Sequence, residues 1–237
     1  MAEPGRKLMK IIKQTDMTAV LSQPTRRHFL GALALGGAGV MAPGAFAEEL
    51  IRTAAVEEGP FYPDKLPLDT DNDLLVVNDS LRPAVGQVTH LSGRLLNSSG
   101  SPIRNALIEI WQVDSTGTYL RARGTRKGPY DANFQGFGRF LTGSSGEYYF
   151  RTIKPVAYDA RPAPHVHFAV KMKGRPKWTT QLFIKGDPGN QRDGLYRNLH
   201  NPRERDSVTV DFVPVGSSRV GELAAKFDIV MGFTPEA

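Results

Sequence analysis

The chain has 237 residues, 40% of them hydrophobic and 23% charged, a globular composition that excludes a disordered or collagen-like polymer. It has no cysteine, which excludes disulfide frameworks, thiolate zinc sites, iron–sulfur clusters and cysteine nucleophiles, so a metal would have to be held by His, Asp, Glu or Tyr. The net charge of +6 does not mark a nucleic-acid partner: residues 1–47 hold six basic side chains (Arg6, Lys7, Lys10, Lys13, Arg26, Arg27) against Glu3 and Asp16, and the other 190 residues carry 24 basic against 22 acidic.

Residues 1–47 read as an export signal. A basic start is followed by Thr25-Arg26-Arg27-His28-Phe29-Leu30, a small and apolar stretch through Met41, and Ala45-Phe46-Ala47, after which cleavage is expected. The apolar stretch is about 14 residues, short of the roughly 20 that a bilayer-spanning helix needs, so no stable membrane span is expected. The paired arginines resemble the twin-arginine type, whose pathway carries folded proteins, and predict a periplasmic location. Residues 48–237 are the expected functional unit.

Hydrophobic period two, broken by turn residues, predicts strands at Val88 to Leu96, Ala106 to Val113, Glu147 to Ile153, Val166 to Met172, Thr180 to Ile184, Ser207 to Val215 and Lys226 to Met231. Asn97-Ser98-Ser99-Gly100-Ser101-Pro102 and Ser144-Ser145-Gly146 supply turn chemistry between them. The expected fold is all-β: a single antiparallel β-sandwich, immunoglobulin- or transthyretin-like, with long loops of the kind that carry function. Leu120 to Phe137, rich in Gly and Arg and without period two, reads as one of those loops.

Four histidines follow residue 47: His90, His165, His167 and His200. On a strand, Val166, Phe168, Val170 and Met172 share one face and His165 with His167 the other, with Cα atoms about 6.5–7 Å apart, so that two imidazoles can converge on one ion. His-x-His also suits a solvated pair, and a metal needs more ligands. Tyrosine is the unusual remaining candidate: a phenolate is a hard anionic donor that favours a trivalent ion, and two tyrosinates with one hydroxide would neutralise Fe(III). Seven tyrosines are present, and composition does not choose among them.

Several ordered blocks do. Glu58-Gly59-Pro60-Phe61-Tyr62-Pro63 is followed by Gly93-Arg94, Gly100-Ser101-Pro102-Ile103, Ile108-Glu109-Ile110-Trp111-Gln112 and Gly117-Thr118-Tyr119. Gly136-Phe137-Gly138-Arg139, then Tyr149 to Pro155 with Tyr158, come next. Pro164-His165-Val166-His167-Phe168, Thr180-Gln181-Leu182-Phe183, Gly186-Asp187 and Phe227-Asp228-Ile229-Val230 complete the set. Together they resemble the intradiol ring-cleaving catechol dioxygenases, closest to the beta-chain-like protocatechuate 3,4-dioxygenase branch.

That resemblance implies one non-haem Fe(III) per chain, held by Tyr119, Tyr158, His165 and His167, with Tyr158 the tyrosinate that leaves when substrate binds. Tyr130 is the rival for the place of Tyr119. It also implies insertion of both atoms of O2 between the two hydroxylated carbons of a catechol-type diol, giving a cis,cis-muconate-type diacid. Arg161 would stabilise the electron-rich substrate, and Gln181 would form a polar wall beside it. Arg161 departs from the family pattern, standing four residues before His165 instead of three. Arg121, Arg123, Arg126 and Lys127 would border the pocket and attract a carboxylated catechol such as protocatechuate. Assembly as a homo-oligomer, or with a related non-identical chain, is expected. Two other readings stand beside this one: a non-catalytic exported transthyretin-like β-sandwich binding module, and an Fe(II) extradiol site using His165, His167 and Asp159.

Overall fold

The computed structural model describes residues 49–78, 81–120, 130–158 and 161–232. The leader, the cationic stretch 121–129 and Asp159 lie outside the described residues.

Ten strands form two mixed sheets. In the first, β1 (Val88–Asn97) is central. One of its edges pairs antiparallel with β4 (Glu147–Ile153), from Val88↔Ile153 to Arg94↔Glu147. The other edge is shared by two parallel partners in succession, β9 (Leu223–Lys226) against Thr89 to Ser92 and β10 (Ile229–Met231) against Leu95 to Asn97. Between them Phe227 donates its N–H to Ser92 O, and Asp228 accepts from the Arg94 N–H. β8 (Phe212–Pro214) closes the sheet antiparallel to β9.

The second sheet runs β3 (Phe137–Leu141), β2 (Leu107–Trp111), β5 (His165–Lys171), β6 (Trp178–Ile184), β7 (Thr209–Val210). The β6–β7 pairing is parallel. The expected all-antiparallel sandwich is therefore corrected to two mixed sheets: three of the pairings are parallel, a property of how distant segments meet that alternation along one strand cannot carry.

Inward side chains of the two sheets form one core, with Leu91, Leu95, Phe150, Phe227 and Ile229 against Ile108, Ile110, Val166, Phe168 and Leu182. Phe168 meets Phe227 edge-on at 5.1 Å between ring centroids, a geometry aromatic pairs prefer. Every residue of β5 before Lys171 is buried, so this strand is covered on both faces. Its Val166, Phe168, Val170 face fills the core, and the opposite face carries the two histidines.

β3 falls partly within the expected loop. Its sequence hides it, because Gly136 and Gly138 interrupt the apolar period. Gly138 is there for space: a Cβ at that position would lie 2.6 Å from Leu74 Cδ1 and 2.7 Å from Asp71 O, where segment 71–74 crosses the strand. After β6 the chain makes a short 3-10 turn and two short helices, α1 (Gly194–Arg197) and α2 (Pro202–Asp206), capped by Asp193 and Asn201. Among the described residues no helix is long and apolar enough to cross a membrane.

Candidate metal centre

Tyr119 is delivered by the turn that follows β2. Buried Asp114 accepts through Oδ1 from Thr116 N (2.9 Å), Thr116 Oγ1 (2.7 Å) and Thr118 N (3.0 Å), and through Oδ2 from Asp131 N (2.8 Å). Gly117 adopts φ +82°, a left-handed conformation that the turn requires and glycine takes at little cost. The turn aims the Tyr119 ring inward, where Phe61 stacks on it at 4.6 Å and 15°.

β5 presents His165 and His167 on its outer face, both almost fully buried. His167 sits opposite Trp111 on β2 and stacks on its indole at 4.8 Å and 10°. The Nδ1 of His165 is within 2.7 Å of Ala163 O, which makes Nδ1 the protonated nitrogen and leaves Nε2 with a free lone pair. Tyr158 comes from a backbone turn in which its N–H donates to Arg161 O (3.1 Å) and the Arg161 N–H donates to Tyr158 O (2.8 Å).

These four side chains converge. The Tyr119 hydroxyl lies 2.8 Å from His167 Nε2, 3.4 Å from His165 Nε2 and 3.4 Å from the Tyr158 hydroxyl. Two donors each about 2.0–2.2 Å from one ion, at angles of about 90–110°, stand about 2.8–3.6 Å apart, so the observed spacings are those of a first coordination sphere. Two phenolic oxygens with two imidazole nitrogens and no thiolate are a donor set for a hard, trivalent cation. Among the described residues no cluster of three His, Asp or Glu offers a competing site.

The electrostatics agree with that reading. Burial pushes the His165 imidazolium down to about 4, assisted by the nearby Arg161 charge, and burial followed by the His165 and Arg161 charges pushes His167 well below its ordinary range. Both rings are thus neutral at neutral pH and available as ligands. Burial, then the Tyr158 neighbour, pushes the Tyr119 phenol well up, and burial also raises Tyr158. In the metal-free protein both phenols keep their protons, and a bound cation must displace them, so metal binding releases protons.

One consequence concerns the iron-free chain. Between about pH 6.5 and pH 4 the unfolded chain protonates His165 and the native one does not, so native stability falls as pH falls through that window. His165 alone contributes roughly 3 kcal/mol to this loss. Urea midpoints of metal-free protein between pH 7.5 and 4.5 should decline accordingly, and a flat profile would contradict the burial of neutral histidine.

Arg161, whose side chain is 12% exposed, is joined to Tyr158 by the reciprocal backbone bonds, and its charge acts on both histidines and both phenols of the cluster. Its guanidinium donates to Asp193 and to Gln181 Oε1 (2.8 Å). Gln181 stands opposite His167 in the ladder and donates its Nε2 to Glu57 O (3.0 Å), so it ties Arg161 to the segment 54–67. Tyr130 is excluded as a rival: its hydroxyl donates to the Phe134 carbonyl and its ring packs on the main core. His90 is likewise elsewhere, bonded at 2.6 Å to the Tyr149 hydroxyl.

Sequence reasoning missed two supports. One is Asp193, visible only as a helix-capping residue before Gly194-Leu195. The other is a carboxylate network under the aromatic cluster. Glu109, with a fully buried side chain, accepts from Arg139 Nε (3.1 Å), Lys171 Nζ (2.8 Å) and the Tyr62 hydroxyl (2.9 Å). The Tyr62 ring in turn meets Trp111 edge-on at 5.1 Å.

A sequence profile described as "Dioxygenase" matches residues 57–231. The beta chain of protocatechuate 3,4-dioxygenase from Burkholderia cepacia is 32% identical over 173 residues, covering 70% of this chain and 72% of that one. The chain belongs to the intradiol dioxygenase family. Another intradiol dioxygenase, catechol 1,2-dioxygenase 2 of Acinetobacter lwoffii, is 31% identical over 152 residues, 55% of this chain, and the match spans 50% of the relative's length. The solved catechol 1,2-dioxygenase of Acinetobacter sp. ADP1 superposes with TM-score 0.59 at 24% identity, covering 87% of this chain and 67% of that one. The dioxygenase domain of a carbohydrate-binding fusion from Streptomyces sp. SirexAA-E gives TM-score 0.58 at 24% identity, covering 77% and 99%. Intradiol dioxygenases generally use non-haem Fe(III), and the donor set assembled at Tyr119 fits that ion.

Proposed function

We propose that the protein is an Fe(III)-dependent intradiol dioxygenase that opens a catechol-type ring between its two hydroxyl groups, delivering both atoms of O2 to a cis,cis-muconate-type diacid. The observation that carries this reading is the meeting of Tyr119, Tyr158, His165 and His167 within 3.4 Å of the Tyr119 hydroxyl. When bound, the ferric ion would supply Lewis acidity that favours loss of the diol's hydroxyl protons, and the deprotonated diol is the electron-rich species that reacts with dioxygen.

The chain's residues divide the remaining tasks. His165 and His167 would hold the ion as neutral donors, and Tyr119, locked between Phe61 and the Asp114 turn, would be the permanent phenolate. Tyr158 is only half-buried and lies at the accessible side. It would be the phenolate that gives way to substrate and takes up one of its hydroxyl protons. Arg161 places a positive charge beside the electron-rich ring, and Gln181 holds that guanidinium. Within segment 54–67, Gly59 lies beside His167, Phe61 on Tyr119 and Tyr62 on Trp111, and this cover keeps water from that side of the cluster.

Oxygen uptake by iron-loaded protein against catechol, protocatechuate and hydroxyquinol, with product identification, tests the reaction. A ferric-tyrosinate site is red-brown, so a colourless iron-loaded protein would refute it. Tyr158→Phe should keep the iron, shift or weaken the visible band and depress turnover by roughly 10²-fold or more, the scale expected when a general base is lost. An unchanged spectrum would remove Tyr158 from the ligand set.

Two further parts of the reading rest on similarity. The matched relative is itself a beta chain, which supports pairing with a second copy or a related chain, to be read from the mass in solution. The Arg26-Arg27 leader supports twin-arginine export to the periplasm, and Arg26→Lys with Arg27→Lys should leave the protein in the cytoplasm.

A further inference from the structure

We infer that Asp193 is the positioning residue that fixes the Arg161 guanidinium against the metal centre, acting through Arg161 and not on substrate. The inference rests on the ferric intradiol reading, which gives Arg161 its task.

The geometry separates two duties of one carboxylate. Oδ1 accepts from the N–H groups of Leu195 (3.1 Å) and Tyr196 (3.2 Å), capping α1, and also from Arg161 Nη2 (3.1 Å). Oδ2 accepts from Arg161 Nε at 2.7 Å. The pair is a bidentate fork, the arrangement that fixes a guanidinium in plane as well as in place. Asp193 is fully buried, and its own orientation is set by the cap and by backbone bonds from its N–H to Gly189 O (3.0 Å) and Asn190 O (3.3 Å). The carboxylate is therefore a rigid anvil and the guanidinium conforms to it.

With Nε and Nη2 engaged by Asp193 and Gln181, Nη1 carries the two remaining N–H groups of Arg161. The backbone of Arg161 is at the same time bonded reciprocally to that of Tyr158. Both ends of the arginine are held, and the charge is fixed beside the phenolate that substrate replaces. Burying this carboxylate has a desolvation cost that a helix cap alone does not call for, since Ser, Thr or Asn caps as well.

Asp193→Asn divides the two duties. Asparagine keeps an oxygen for Leu195 and Tyr196 and turns an amide N–H toward Arg161 Nε, donor against donor. We expect kcat to fall about 10- to 100-fold with KM changed less than about threefold, at unchanged iron content and unchanged visible absorption. In an Arg161→Gln background the same change should have no further effect on kcat. A readout independent of turnover comes from 15N NMR of the iron-free full chain: one Arg Nε–H signal, assigned by its loss in Arg161→Gln, should be protected from exchange in the wild type and unprotected in Asp193→Asn. If Asp193→Asn does not fold, Asp193→Ser, which retains a capping oxygen, enters the same cycle.

Wild-type kcat in Asp193→Asn, an equal loss in the Arg161→Gln background, or an Arg161 signal that exchanges freely in the wild type would each overturn the inference. A protected signal in a protein that consumes no oxygen with any catechol would overturn the ferric reading and leave the clamp standing.

Discussion

Replacing His167 by alanine should remove iron from the protein and with it all ring-cleaving activity. His167 Nε2 is the nearest partner of the Tyr119 hydroxyl, at 2.8 Å, and the ring is buried against Trp111, so its loss removes a donor from the middle of the cluster. If the roughly 10–16 kcal/mol of a four-ligand metal site is shared among its donors, one imidazole contributes about 3–4 kcal/mol, a loss in affinity on the order of a thousandfold. The expected result is less than a tenth of an iron per chain by elemental analysis after dialysis, no red-brown colour and no oxygen uptake. His167→Gln, which retains volume, distinguishes loss of the ligand from collapse of the cavity. A His167→Ala protein that still holds one iron would show that the ion sits elsewhere.

Lys171→Met should destabilise the fold strongly, although Lys171 lies outside the centre. Glu109 has no exposure, whereas its partners Lys171 and Arg139 are about one-third exposed. The cost of disrupting such a network is asymmetric: removing a cation strands part of a buried carboxylate, at roughly 3 kcal/mol, while removing the carboxylate frees two cations that can reach water. For a chain of this size that corresponds to a fall in Tm of roughly 6–12 °C. Glu109→Gln combined with Lys171→Met should recover much of the loss. If the single and double variants melt together, Glu109 is not held as a charge. Because Tyr62 bonds both Glu109 and Lys171, the change also loosens the segment that seats Phe61 on Tyr119.

The same residues show how far the sequence could be read. Alternation placed β1, β4, β5 and β6 within two residues of their observed ends, because each carries an apolar face directed at a common core. It failed at β3, where glycine is required by a crossing segment, and it treated 207–215 and 226–231 as two long strands where the structure has β7 to β10. The His165, Val166, His167 pattern announced two imidazoles on one face, which is a local property of a strand. The choice of Tyr119 and Tyr158 among seven tyrosines required likeness to a family, since both meet the histidines only after the chain has folded. Arg161 departs from the family spacing to His165, and the backbone bonds that join it to Tyr158 appear only in the folded chain. Its partner Asp193 lies 32 residues away and carries only a capping signature in the sequence.

The doubly occupied edge of β1 sets the order in which the molecule can be made. Arg94 waits for Asp228, 134 residues later in the chain, and joining ends so far apart costs roughly 4 kcal/mol of entropy before any contact repays it. A nascent polypeptide emerging from the ribosome can pair β1 with β4, β2 with β3 and β5, and β5 with β6 early, yet the first sheet lacks β8, β9 and β10 until residues 212–231 have been made. Folding of the first sheet is therefore a non-local closure with slow kinetics, completed only when the segment around Asp228 reaches β1.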